Sequence, residues 1–293
     1  MYHYKPTLGS RIFDVSNYTI LVLCGLATLL PFIYILAVSF APIEQVLRGG
    51  LILWPEKFTL TAYNTIFSNS SFIRSLWVTV LLTVVGTFTN VVLTGLMAYP
   101  LAKKTLKGRR VILFLVLFTM LFNGGMIPTY MVVKWTGLIN TLWAMILPMA
   151  ISAFNLIIMK NFFQSIPEEI EESARIDGST HFGVLFKIVF PLSMPAIATF
   201  TLFYSVYHWN QFFAAIIYVH DTGLWPIQVL LRQMIIIGET TEFNQAMDST
   251  EMQVLPTTIK MAAIVVATVP ILIVYPFLQK HFAKGVMLGS VKG

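Results

Sequence analysis

The sequence predicts an all-α membrane protein with six transmembrane helices, and three observations carry that prediction. Of the 293 residues, 57% are hydrophobic and only 11% are charged, with a mean hydropathy of +0.77. A soluble domain carries about 25% charged residues, so lipid has to serve as part of this chain's solvent. Six stretches contain no Asp, Glu, Lys or Arg and reach the roughly 20 residues that a helix needs to cross a bilayer: 18–40, 75–101, 111–133, 142–159, 196–219 and 261–279. The cationic residues gather at the ends of these runs. That is a pattern of membrane topology and not of a nucleic-acid-binding face.

The first run, 18–40, follows Lys5 and Arg11 and is too long for the apolar region of a cleavable signal, with no small-residue cleavage site after it. It holds the single cysteine, Cys24, which reads as a small buried hydrophobe. The second run, 75–101, ends at the basic cluster 103–110, in a connection short enough to fix orientation. The third and fourth runs are joined by a short link. A long polar loop, 164–195, precedes the fifth, and a second long loop precedes the sixth. The residues from 280 onward form a basic tail. With six spans both termini share a side, and the loops divide the Lys and Arg residues thirteen against six in favour of that side. The termini, 103–110 and 164–195 are therefore expected in the cytoplasm, with 41–74 and 220–260 outside. The chain shows no internal repeat and reads as one membrane domain, 1–293.

Absences narrow the chemistry. No Cys/His cluster has metal-ligand spacing, and no Ser/His/Asp or Cys/His signature appears, so neither a metal site nor catalytic residues are expected. The P-loop pattern is missing, so any ATP and Mg must be held by another protein. Only His208 among ionisable groups capable of ion coupling lies within a span. An ion-coupled secondary transporter usually needs more than that, and an integral membrane enzyme needs clustered catalytic groups that are not seen.

The loop 164–195 carries the most specific motif. Ser165 and Glu168 have capping-box spacing, Pro167 suits a first helical turn, and Glu168, Glu169, Glu171 and Glu172 complement a helix N-terminus. Gly178 can stop that helix in a left-handed conformation, and Ser179 can cap a second helix ending near Pro191. The run Glu172-Ser173-Ala174-x(3)-Gly178-x(9)-Ile188-x-Phe190-Pro191 resembles the E-A-A-x(3)-G-x(9)-I-x-L-P loop of ABC importer membrane subunits, departing from it at Ser173 and Phe190. Trp209-Asn210-Gln211-Phe212-Phe213 looks like the W-N-x-F-F run of the carbohydrate subgroup. The segments 122–128 and 137–141 and the tail 284–293 resemble the branch serving complex or acidic plant or algal oligosaccharides.

The resemblance runs from about residue 15 to the end. It implies a type I ABC importer permease fold in a bacterial cytoplasmic membrane. It also implies a homologous second permease subunit, a dimer of ATPase subunits that binds ATP and Mg, an extracellular solute-binding lipoprotein, and an oligosaccharide as cargo. The residues it places at the ATPase are Glu168, Glu169, Glu172, Ala174, Asp177, Gly178, Phe182, Phe186 and Pro191. A sugar path combines aromatic platforms with a few polar groups. Tyr204, Tyr207, His208, Trp209, Asn210 and Gln211 of the fifth span, with Asn123, are the candidates for it. At helical spacing, Tyr204, Tyr207, His208 and Gln211 share one face.

Overall fold

A computed structural model of the chain describes residues 8–243 and 256–290, and all regular structure among them is helical. Residues 1–7, the stretch 244–255 before the last run and residues 291–293 lie outside the described residues. The chain divides into two compact units, 1–69 with 234–266, and 70–233 with 267–293.

In the first unit, α1 (Leu8–Phe40) begins well before the expected span and holds Pro31 within it. At about 1.5 Å per residue it is longer than a bilayer's hydrocarbon core. Most of its side chains from Tyr18 to Phe32 are apolar and exposed, as lipid contact requires. The chain then turns through α2 (Ile43–Leu47) and two left-handed glycines, Gly49 and Gly50, to reach α3 (Thr61–Ser68). The end of α1 is pinned there. The Thr59 N–H donates to the Phe40 carbonyl at 2.8 Å, Tyr63 and Ser39 share a hydroxyl bond of 2.8 Å, and the Phe40 and Tyr63 rings lie 4.9 Å apart. Burial pushes the Tyr63 hydroxyl pKa up, and the Ser39 bond partly offsets it.

The second unit is organised around α4 (Ser70–Ala102). After it come α5 (Arg109–Leu121), α6 (Met126–Trp135), α7 (Trp143–Ile146) with a 3-10 turn at Leu147–Met149, and α8 (Ala153–Gln164). The loop helices follow: α9 (Glu168–Ile176), then α10 (His181–Val184), which passes through a π turn (Leu185–Val189) into α11 (Phe190–Leu192). The order closes with α12 (Met194–Trp209), α13 (Phe213–Tyr218), α14 (Ile227–Phe243) and α15 (Thr257–Ser290), of which 234–243 and 257–266 belong to the first unit. α4 packs against both α12 and α8. One apolar cluster surrounds its C-terminal half with Tyr99, Phe163, Val184 and Phe200, and another surrounds Leu82 with Val133, Met145 and Val219.

Three of the expected spans are not continuous helices. The run 111–133 breaks between α5 and α6, where the Asn123 side chain accepts the Gly125 N–H at 2.9 Å and Gly125 has φ 87°. The run 142–159 bends by 59° after Pro148 and restarts at Ser152, whose hydroxyl caps α8. The run 196–219 unwinds at 210–212 before α13. Such breaks place unpaired backbone groups at membrane depth, which is tolerated where protein or a water-filled path covers them. By contrast α1, α4 and the 257–274 part of α15 are long and apolar enough to cross a membrane unbroken. α15 continues to Ser290, so residues 280–290, expected as a tail, extend the last helix.

Candidate coupling loop and solute pathway

The loop 164–195 forms two short helices meeting at a tight turn. Gly178 sits at φ 84°, its N–H donates to the Arg175 carbonyl at 2.9 Å, and the Ser179 N–H reaches back to the Ala174 carbonyl at 2.9 Å. This pair of bonds is the Schellman pattern, and a glycine adopts its left-handed residue without steric cost. The caps differ from expectation. Ser165 ends α8, with its hydroxyl donating to the Phe162 carbonyl at 2.7 Å, so it makes no capping box with Glu168, and Pro167 takes the N-cap position of α9. Ser179 gives way to Thr180, whose Oγ1 accepts the Gly183 N–H at 3.2 Å. Before Pro191 the ladder shifts register, the Phe190 N–H bonding to the Leu185 carbonyl, because proline offers no N–H to the Lys187 carbonyl.

The surface of this pair is mixed. Glu168, Glu169, Glu172, Asp177, Gly178, Phe182, Phe186 and Pro191 are exposed, whereas Ala174 is buried in the apolar cluster. Ile176 is 86% exposed, an aliphatic side chain at the end of α9 beside the turn. Its position beside Gly178 was the available sequence signal. Glu171 is buried, and Tyr99 and Lys103 hold it.

Along α4 runs a polar stripe that hydropathy conceals: Ser75, Thr79, Thr83, Thr87, Asn90 and Thr94, spaced three or four apart and therefore on one face. The face meets α12. The Thr94 hydroxyl bonds to the Tyr204 hydroxyl at 2.8 Å, and the Ser152 N–H also donates to Tyr204. His208 Nε2 lies 3.1 Å from the Asn90 amide nitrogen, and Nδ1 lies 3.3 Å from that of Gln211. The Gln211 amide also donates to the Met145 carbonyl at 2.9 Å. His208 is fully buried, and Gly86 leaves the room for its ring. Small residues at a helix contact with hydrogen bonds across it are how membrane helices hold together where lipid is as apolar as the core.

A cavity of about 590 Å³ opens beside this seam. Asn123, Thr129, Tyr207, Asn210, Gln211, Phe212, Phe213 and Tyr218 line it, together with Met126, Met145, Pro148 and Met149. It is walled by the breaks in the third, fourth and fifth runs. Of the seven path candidates, Asn123, Tyr207, Asn210 and Gln211 therefore meet at one cavity. Tyr204 and His208 are enclosed between helices, and the Trp209 indole donates to the Ala267 carbonyl at 3.1 Å on a different side of α12. The Arg232 guanidinium lies over the Phe212 ring, 5.5 Å from its centroid. Phe212, named by sequence only as part of the W-N-x-F-F run, and Met149 were not among the path candidates, since neither aromatic nor Met content distinguishes a cavity wall from a lipid face.

Residues 4–288 match the family described as binding-protein-dependent transport system inner membrane component. The polygalacturonan/rhamnogalacturonan transport system permease protein YtcP of Bacillus subtilis is 53% identical over 291 residues, covering 98% of this chain and 100% of that protein. Protein LplC of the same organism is 54% identical over 288 residues, covering 98% and 97%. The crystal structure of a bacterial ABC transporter involved in the import of the acidic polysaccharide alginate contains a chain that superposes with a TM-score of 0.86 at 33% identity, covering 96% of this chain and 100% of that one. The helical architecture, the glycine-hinged loop and these likenesses converge, and the chain belongs to the family of membrane subunits of binding-protein-dependent ABC transport systems, a transport component and not an enzyme.

Proposed function

We propose that this chain forms half of the translocation path of an importer for an acidic oligosaccharide. A homologous permease supplies the other half, an ATPase dimer holding ATP and Mg docks on the loop 168–190, and a solute-binding protein delivers cargo from outside. Both termini and 103–110 face the cytoplasm on the strength of the Lys and Arg bias. The observation that carries the substrate class is the cavity in which aromatic Tyr207, Phe212 and Phe213 stand beside Asn123, Asn210 and Gln211, with the cationic Arg232 against the ring of Phe212. Aromatic faces suit the C–H faces of sugar rings, amides suit their hydroxyls, and a guanidinium suits a uronic carboxylate. The named substrates of YtcP and of the alginate importer are polyuronides or contain them, which agrees with this cavity. The alternating motion belongs to the membrane pair, with nucleotide and binding protein biasing its two states.

The test is uptake of oligogalacturonides by the complete system in proteoliposomes. Tyr207→Ala and Asn210→Ala are expected to slow uptake while ATPase subunits stay bound, and Arg232→Gln to weaken preference for charged over neutral oligosaccharides. Wild-type uptake in all three variants refutes the cavity as the path. A cognate binding protein that prefers an amino acid, a peptide or a metal refutes the carbohydrate reading.

A further inference from the structure

The four glutamates of α9 look equivalent in sequence, yet only one turns inward. Glu168, Glu169 and Glu172 are exposed, and Glu171 is 4% exposed. Its carboxylate accepts the Tyr99 hydroxyl at 2.9 Å and pairs with the Lys103 ammonium through the same oxygen, Oε2. Lys103 also lies 5.2 Å from the Tyr99 ring centroid, so the three groups close on one another. Tyr99 is in the last turns of α4, and Lys103 follows its last residue, where the negative end of the helix favours a cation. The contact joins positions 72 residues apart and does not run through the covalent path of the loop, which enters from α8 and leaves into α12. It floors a cleft of about 880 Å³ between 99–107 and the loop helices. Higher on the same helix, Thr94 and Asn90 are bonded to Tyr204 and His208 of α12. α4 is helical from Ser70 to Ala102, with Pro100 in its last turn, and this helix is the covalent route from Tyr99 to the seam beside the cavity.

We propose that Glu171, clamped by Tyr99 and Lys103, is the joint through which movement of α9 reaches α4. It is a positioning residue for coupling, and the proposal rests on the reading of 168–190 as the ATPase-docking loop. An ion pair buried on its carboxylate side, with a third hydrogen bond, suits this task. Its members are held in one geometry, and removing Lys103 takes the cation from a buried carboxylate. The glutamates that stay exposed remain free to meet the ATPase.

The experiment is the ratio of ATP hydrolysed to substrate imported by the reconstituted complete transporter, with co-purification of the ATPase subunits as a second readout. Glu171→Gln and Lys103→Gln are expected to keep the ATPase subunits bound while the ratio rises about tenfold, a change of the size a broken coupling energy produces. Tyr99→Phe, which removes only the hydroxyl and keeps the packing, is expected to raise it less. Exchanging the charges in one chain, Lys103→Glu with Glu171→Lys, is expected to recover part of the coupling, which a role confined to packing would not do. A wild-type ratio in the single variants overturns the joint, and so does an exchange variant no better than the singles. If the wild-type chain itself fails to retain ATPase subunits, the docking reading falls and takes the joint with it.

Discussion

Gly86→Ala is expected to loosen the contact between α4 and α12. A Cβ at this position would stand 2.5 Å from His208 Nε2, 2.6 Å from Cε1 and 2.7 Å from Cδ2. Carbon contacts are comfortable at about 3.5–4.0 Å, so the ring has to move by about 1 Å. It is fully buried, with the Asn90 and Gln211 amides against its two ring nitrogens, which leaves it nowhere to go without losing those contacts. Two effects oppose each other. Replacing glycine by alanine inside a helix gains up to about 1 kcal/mol in propensity. Overpacking costs about 1–3 kcal/mol, and a buried hydrogen bond left unmade costs about 1–3 kcal/mol more. The clash wins, by about 2 kcal/mol, which for a chain of this size lowers Tm by about 3 °C. The assay is thermal unfolding of the purified chain in detergent. Gly25→Ala is the control, because its Cβ meets nothing within 4 Å and only the propensity effect remains. In a His208→Ala background the obstructing ring is gone, and Gly86→Ala should then cost almost nothing. Additive losses in the double variant would refute the reasoning.

Three further outcomes are expected. Gly178→Val forces a β-branched residue to φ 84°, a strain of about 1–3 kcal/mol, and should abolish substrate-stimulated ATP hydrolysis while the chain still inserts; wild-type coupling would show the turn to be dispensable. Asn140 sits at φ 63° and its side-chain oxygen accepts the His220 N–H at 3.0 Å and the Asp221 N–H at 2.8 Å. Asn140→Ala loses both bonds and the tolerated backbone, about 2–3 kcal/mol, whereas Asn140→Gly should cost about 1 kcal/mol less; equal losses in thermal unfolding would mean the backbone conformation contributes nothing. A cysteine at Lys107 in a Cys24→Ser chain should escape an impermeant thiol reagent in intact cells, and one at Lys57 should react; the reverse pattern inverts the topology.

The sequence by itself determined the solvent, the element type and the family. Charge-free runs of bilayer length leave the backbone no hydrogen-bonding partner except its own helix, and this holds whatever the neighbouring helices are. The Glu172-to-Pro191 spacing was likewise legible because it is local: Gly178 needs its left-handed conformation wherever the loop is placed. What tertiary structure decided was direction. Tyr204, Tyr207, His208 and Gln211 share a helix face by periodicity, yet Tyr207 and Gln211 reach a cavity while Tyr204 and His208 are sealed against α4. The division depends on Gly86, Asn90 and Thr94, more than a hundred residues away in the chain. The caps at Ser165 and Ser179 moved to other residues because α8 ran on to Gln164 and α10 began at His181, boundaries set by packing and not by propensity. The four glutamates of α9 were chemically indistinguishable in the sequence, and only the phase of that helix against Tyr99 and Lys103 selected Glu171 for burial. A side chain's identity is written in the chain, but its partner belongs to another helix, and only folding brings that helix within reach.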